Sequence, residues 1–209
     1  STACFGVPGE DLAVVGDTVL IAHASGDVLH GRGVTQFDVT GDGTPILRYQ
    51  PGSPQDPLRG SATAVAIEGD QLFVTKDSHL EIFDVSAEAA PVHRGSLETP
   101  GEALEIVVEE GIAYIADGST GLTLVDVRLP EAPAIIGRYQ TAAPAIEVDV
   151  REGTVLVAQG EFVLVIDASD PGDLNLVGSY HARDQVQCVA YAGPYAYFCQ
   201  VFVIGRAVL

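Results

Sequence analysis

The sequence contains no methionine, no tryptophan, one lysine (Lys76) and three cysteines. It also has no apolar run of the 18 or more residues that a membrane-crossing helix needs. Each scarcity excludes something. Without methionine the chain does not read as a primary translation product, and a removed signal peptide would account for that. Ser1-Thr2-Ala3-Cys4 faintly resembles a lipoprotein cleavage box, but such a box is cut before its cysteine, and Ser1 is still present. Ten Lys and Arg against 29 Asp and Glu leave a net charge of −19. Nucleic acid and anionic membranes are bound by clustered cations, so neither is an expected partner. A surface this acidic keeps a protein in solution and attracts cations. No Gly-x-Ser-x-Gly elbow, His-Glu-x-x-His pair or phosphate loop is present, so no enzyme class announces itself by motif.

What is present is repetition. An aspartate closes an apolar run at Asp38, Asp84, Asp126 and Asp167, with spacings of 46, 42 and 41. A glycine separates two apolar runs at Gly16, Gly69, Gly111, Gly153 and Gly193, with spacings of 53, 42, 42 and 40. Both series give one period, which fixes the architecture before any local reading. The residue seven places after the aspartate is Pro45, Pro91 and Pro133 in three copies and Leu174 in the fourth.

Within a repeat the apolar runs span four to eight residues rich in Val, Ile, Leu and aromatics, bounded by Gly, Pro, Asp and Ser. That is the pattern of short strands, and no run has a helical period. In the best copy the strands fall at 103–108, 112–116, 122–127 and 134–139. Four antiparallel strands per repeat of this length read as the blade of a β-propeller.

The runs LTLVD and VLVIDASDP, with GIAYIADG upstream and GRYQT downstream, resemble LVIVD repeats. That family consists of bacterial, mostly secreted or surface-attached β-propeller repeats. The resemblance implies an all-β propeller in an extracytoplasmic setting, and it brings no catalytic motif. In the last copy, Gly205 of VFVIGR is taken to stand at the aspartate position.

Five blades of about 42 residues need about 210, and the chain has 209. The expectation is one domain, 1–209, forming a closed ring of five four-stranded blades, with a fragment of a larger propeller as the alternative. The last copy supplies three strands, at 186–191, 195–199 and 202–206. The missing fourth is expected at 2–5, because Pro8-Gly9-Glu10 matches Pro100-Gly101-Glu102. Closing a ring with strands from both termini pairs edges that would otherwise stay open.

If Gly193-Pro194 is a two-residue loop, Ala192 faces Tyr195 and Cys188 faces Cys199. If the register instead follows the Glu110-Gly111 turn, the cysteines slip to a diagonal. Facing cysteines could bridge in an oxidising compartment or remain two buried thiols. Cys4 reads as a small core residue.

Two insertions lengthen the first copy, HASGDVLHGRG and QPGSPQDPLRG. In an up-and-down blade both emerge on one face, and long loops on a rigid scaffold are where binding residues sit. The expected binding residues are His23, Asp27, His30, Arg32, Gln50, Asp56 and Arg59, presented to a protein or glycan. Arg32 and Arg59 have the fork to hold an acidic group. His23, Asp27 and His30 have donor types suited to a metal, without diagnostic spacing.

The repeated aspartates read as turn acceptors of backbone N–H groups. The run DVTGDGT lacks the alternating ligands of a calcium loop and reads as a turn. Aligning first strands, the first copy on its Pro-Gly-Glu and the others on the turn glycine, places Ala13, Thr63, Glu105, Glu147 and Gln187 in one column. Glu105 and Glu147 are the candidate ligands of a divalent cation near the ring's axis, or carboxyls that raise one another's pKa. The leading function is a binding module without a cofactor. The alternative is a propeller hydrolase with a metal at those two glutamates.

Overall fold

The computed structural model describes residues 10–15, 17–23, 33–39, 45–49, 58, 61–86, 91–200 and 204–208. The expected strand at 2–5, Cys4, and six of the seven binding candidates (Asp27, His30, Arg32, Gln50, Asp56 and Arg59) lie outside the described residues. His23 ends a described strand, where its Cα pairs with those of Glu10 and Gly33.

The described residues form β-strands joined by turns, with no helix among them. The first sheet holds β1 (Glu10–Val15), β2 (Thr18–His23), β3 (Gly33–Val39) and β4 (Pro45–Tyr49). The second holds β5 (Ala62–Glu68), β6 (Gln71–Lys76), β7 (His79–Asp84) and β8 (Val92–Glu98). The third holds β9 (Glu105–Glu109), β10 (Ile112–Ala116), β11 (Leu122–Asp126) and β12 (Ala134–Tyr139). The fourth holds β13 (Ala145–Arg151), β14 (Thr154–Gln159), β15 (Phe162–Asp167) and β16 (Asn175–His181). The fifth holds β17 (Val186–Ala192), β18 (Tyr195–Gln200) and β19 (Ile204–Val208). Every sheet is an antiparallel meander in chain order, and β1, β5, β9, β13 and β17 pack one against the next. This is a β-propeller-like arrangement.

Four apolar cores lie between adjacent sheets, and the strand pleat explains how one strand serves two of them. Successive side chains point to opposite faces. Along β10, Ala113 and Ile115 enter the core shared with the second sheet, while Tyr114 and Ala116 enter the one shared with the fourth. The middle strands therefore have apolar, buried centres, as in Leu72–Val74 and Val155–Ala158, whereas β8 and β16 are mostly exposed and β12 is half exposed. Burying a Phe or Leu side chain contributes about 1.5–3 kcal/mol, and Phe73, Phe83, Leu72, Leu80, Leu122 and Leu124 are all but completely buried.

Asp84, Asp126 and Asp167 accept turn N–H groups as expected, whereas the bond described for Asp38 comes from a side-chain hydroxyl across the hairpin. Asp84 Oδ1 accepts the Ser86 N–H at 2.9 Å and the Ser86 hydroxyl at 2.6 Å, and Asp167 does the same with Ser169 at 3.0 and 2.7 Å. Asp126 accepts the Arg128 N–H at 3.0 Å and also pairs with its guanidinium. Asp38 accepts the Thr18 hydroxyl at 3.0 Å. In the fifth sheet the register differs from the sequence reading. Val208 pairs with Tyr195 as Asp126 pairs with Ile112, so Val208, not Gly205, occupies the aspartate position.

Sheets are stitched together by hydrogen bonds from turns. The carbonyls of Asp77, Gly118 and Gly160 accept N–H bonds from Ala103, Ala145 and Val186, each at the head of the next sheet's first strand. At the opposite end, Glu68 accepts the Gly111 N–H at 3.0 Å, and Glu109 accepts the N–H groups of Glu152 and Gly153 at 3.3 and 3.4 Å. Between the fourth and fifth sheets the polarity reverses, with the Arg151 guanidinium donating to the Gly193 carbonyl.

Asp117 is a further stitch that the sequence reading missed. It is fully buried, and it accepts the Gly101 N–H at 3.1 and 3.2 Å and the Thr120 and Thr123 hydroxyls at 2.8 and 2.9 Å. Asp117→Ala leaves the buried Thr123 hydroxyl without this acceptor and takes one from the part-buried Gly101 N–H and Thr120 hydroxyl, so urea unfolding should show a loss of about 2 kcal/mol with an unchanged slope.

Candidate functional site

The five first strands present one side chain each at the same level, and hairpin register defines that level better than the turn glycine. The two-residue turns are of two kinds. At Glu110-Gly111 and Glu152-Gly153 both residues have positive φ, as in a type I′ turn with glycine second. At Gly69 (φ 58°) and Gly193 (φ 57°) only the first does, as in type II′. Aligning on glycine therefore slips two copies by one residue. Counted from the turn, Asp11, Ala64, Glu105, Glu147 and Cys188 share the level, paired with Ala22, Thr75, Ala116, Ala158 and Cys199.

Ala13, Thr63 and Gln187 leave the column. Thr63 and Gln187 fall at β-bulges, and Ala13 sits two residues beyond Asp11. The Thr63 hydroxyl bonds the neighbouring sheet instead, donating to the Ala103 carbonyl at 2.6 Å.

Glu105 is 6% exposed, and its Oε1 is buried without a hydrogen-bond partner. Burial pushes its carboxyl well above the ordinary range, and the charges of Asp11, Glu147 and Asp149 push it further. Asp11 is also raised by burial, against the Val65 N–H that it accepts at 2.9 Å. Asp149 is raised by burial too, opposed by N–H bonds from Tyr191 at 2.6 Å and Val150 at 2.9 Å. Glu147 is half-buried. The structure thus brings Glu105 and Glu147 to one level, places Asp11 there in the stead of Ala13, and sets Asp149 near enough for its charge to act on Glu105. Among the described residues, no three carboxylate, imidazole or thiol groups stand together as a metal centre.

Cys188 and Cys199 face each other across the β17–β18 hairpin, as the two-residue loop requires, and both are free thiols. Burial, together with the hydrogen bond and proximity of Cys188, pushes the Cys199 thiol up to about 12. Only the thiolate attacks an alkylating agent. At pH 8 Cys199 should react with iodoacetamide on the order of a thousandfold more slowly than an unperturbed thiol, as followed by mass spectrometry of the intact protein.

The second feature is a groove of about 440 Å³ between the fourth and fifth sheets. Its described walls include Val163 and Val165 of β15, Gly178 and Tyr180 of β16, and Ala196 and Phe198 of β18. The Tyr180 and Phe198 rings lie 5.2 Å apart across it. Beside it, Leu176, Val177 and Tyr180 are 48%, 61% and 45% exposed. The sequence carries only a weak signal for this surface, the run LNLV, which is more apolar than a solvated outer strand requires.

The profile of the LVIVD repeat matches residues 59–99, 100–141 and 144–182, which correspond to the second, third and fourth sheets. No curated protein matches the chain. Among solved structures, it is similar to the crystal structure of the computationally designed Ika4 protein, with a TM-score of 0.60, 8% identity, and 71% of this chain and 91% of that one covered. It is also similar to a functionally unknown protein from Desulfotomaculum acetoxidans DSM 771, with a TM-score of 0.73 and 12% identity. That likeness covers 91% of this chain but 62% of the other, so the chain spans under two thirds of that protein. At such identities the likeness is one of fold. Three consecutive matched repeats, coinciding with three consecutive four-stranded sheets, place the chain in the LVIVD-repeat family.

Proposed function

We propose that the protein is an extracytoplasmic interaction module that holds a protein partner in the groove between its fourth and fifth sheets. The observation that carries this reading is the exposed apolar strip of Leu176, Val177 and Tyr180 beside that groove, on a chain whose net charge is −19. An apolar patch on so acidic a surface costs solubility unless something covers it. The mixed aliphatic and aromatic lining offers few partners for the hydroxyls of a glycan and suits a peptide better. The first-sheet loops, with His23, Asp27, His30, Arg32, Gln50, Asp56 and Arg59, are proposed as a further contact on the same scaffold. A five-bladed ring, completed by a strand at 2–5, is the proposed closed form. The family resemblance supports the extracytoplasmic setting, which protease accessibility on intact cells would test.

The test of the binding reading is a photo-crosslinking residue at position 177, with position 92 as control, since Val92 is 56% exposed on the second sheet. Specific adducts at 177 that are absent at 92 are expected. Equal labelling at both would end the reading.

The hydrolase with a cation at Glu105 and Glu147 stands second. Glu105 Oε1 has room in its hydrogen-bonding for a ligand, but no third ligand group joins the pair among the described residues. Native mass spectrometry with and without a chelator decides it. A chelator-sensitive ion would favour the hydrolase, and its absence would remove that reading.

A further inference from the structure

At the level of the inner column, the fifth sheet carries a pair of side chains that its sisters lack. Asp11, Glu105 and Glu147 each face an alanine on the second strand, Ala22, Ala116 and Ala158. The second sheet shows where a longer side chain at that place goes. Thr75 stands opposite Ala64, just past the bulge at Thr63, and its hydroxyl turns back across the hairpin to accept the Ala64 N–H at 2.9 Å. Cys199 occupies the place of Thr75, past a like bulge at Gln187, and its sulfur also accepts the N–H of the residue opposite, Cys188. There the likeness ends, because that residue is alanine in one sheet and cysteine in the other. The Cys199 thiol also hydrogen-bonds the Cys188 sulfur. Directly paired Cα atoms of an antiparallel ladder lie about 4.5–5.5 Å apart, within the range of about 4.4–6.8 Å that a disulfide spans. Both cysteines are free thiols, and neither is fully buried.

We propose that Cys188 and Cys199 form a redox modification site, a dithiol that a small-molecule disulfide such as oxidised glutathione converts reversibly into a cross-strand disulfide. The site is independent of the groove and of the interaction-module reading. In the first step the Cys188 sulfur, its proton given up to solvent, attacks one sulfur of the oxidant, forming a mixed disulfide and expelling a thiolate. In the second the Cys199 sulfur gives up its proton and attacks the Cys188 sulfur, closing the protein's disulfide and expelling the second thiolate. The two protons end on the two expelled thiolates, and the two electrons that the protein loses are gained by the oxidant. The order of attack follows from the pair itself. Burial and the bond to Cys188 hold the proton on Cys199, which leaves Cys188 as the sulfur free to attack first. Once Cys188 is in the mixed disulfide its charge no longer holds that proton, and the second attack runs between neighbours already in place.

The test places the whole wild-type chain in glutathione buffers of rising oxidised-to-reduced ratio, quenches with acid, and reads intact mass and fragment spectra. The expected result is a mass loss of about 2 Da, the two thiol hydrogens, carried by a bond between Cys188 and Cys199. Dithiothreitol should restore the original mass, and glutathione adducts should not accumulate. Cys199→Ser should trap the first step as a lasting adduct on Cys188. Cys188→Ser should form its adduct on Cys199 at a rate lower by about tenfold or more. The proposal is overturned by thiols that stay reduced in fully oxidised buffer, by lasting adducts on both cysteines of the wild-type chain, or by a bond from either of them to Cys4. A faster adduct on Cys199 than on Cys188 overturns the order of attack. The wild-type measurement needs no substitution, so it decides the matter even where a serine variant fails to fold.

Discussion

Glu105→Gln is expected to make the protein more stable than wild type above neutral pH and to leave it little changed near pH 4. The sign follows from linkage. The folded carboxyl titrates well above the ordinary value of 4.5, raised by burial and by the charges of Asp11, Glu147 and Asp149. The unfolded one titrates near that ordinary value. Below it both states are protonated and the group contributes nothing. As pH rises through the window between the two, the unfolded chain gives up its proton first and stability falls. Above the window the folded state carries an unpaired buried charge, which costs several kcal/mol. Glutamine fills nearly the same space without that charge. Thermal melts from pH 4 to pH 9 should show the two proteins diverging upward, with the variant still sloping because Asp11 and Asp149 are raised as well. Parallel curves would mean that Glu105 is solvated or paired in solution. The turn carboxylates act in the other direction. Hydrogen bonds hold Asp84 and Asp167 below the ordinary range, and those from Arg128 hold Asp126 at about 2. Their contribution is present above the ordinary value and is lost as pH falls through the lowered ones. Stability should therefore peak in the mildly acidic range.

The second large effect concerns a hydrogen atom. Gly137→Ala should destabilise by about 3 kcal/mol or more, at the upper end of what overpacking costs, because backbone and not a flexible side chain stands in the way. The added methyl would collide with the Pro171 carbonyl oxygen and press the Pro171 carbonyl carbon, 3.1 Å away, so the third and fourth sheets must part. Gly178→Ala, at the position that pairs with Val165 as Gly137 pairs with Leu124, would bring its Cβ within 4.0 Å of only the Val165 Cβ among the described residues, and should stay within about 0.5 kcal/mol of wild type. Urea denaturation of the pair is a direct comparison. Equal losses at the two sites would show that the glycines serve strand geometry and not close approach between sheets.

The repeat was legible in the sequence because its period is carried by residues with strong local preferences. The aspartates Asp84, Asp126 and Asp167 bond within two residues of themselves, and strands such as Ile112–Ala116 are apolar on both faces. Local chemistry of this kind reads directly from spacing. The full inner column did not, because glycine is second in the turns at Gly111 and Gly153 and first in those at Gly69 and Gly193, so that Thr63 and Gln187 were set where Ala64 and Cys188 stand, while the Pro-Gly-Glu match set Ala13 where Asp11 stands. Gly111 and Gly69 look alike in a string and differ by one residue in space. Asp117 was concealed for a different reason, since Thr120 and Thr123 lie on its own hairpin but Gly101 reaches it from the connection ahead of β9. The groove was not legible because its described walls come from β15, β16 and β18, strands of two sheets that meet only in the fold.

The alternating polarity of the turn stitches bears on how such chains can be rearranged. Glu68 and Glu109 each offer an acceptor to the next turn's N–H groups, whereas Arg151 offers a donor to the carbonyl of Gly193. A repeat is thus addressed to its successor. Duplicating the segment that carries Glu109 in tandem would set an acceptor before a turn that donates, and the join would close. Moving the segment that carries Arg151 one place earlier would aim a cation at an N–H and leave two like-signed groups facing each other. Gene duplication and repeat shuffling, natural or engineered, would meet that grammar at the hairpin tips well before they tested the cores.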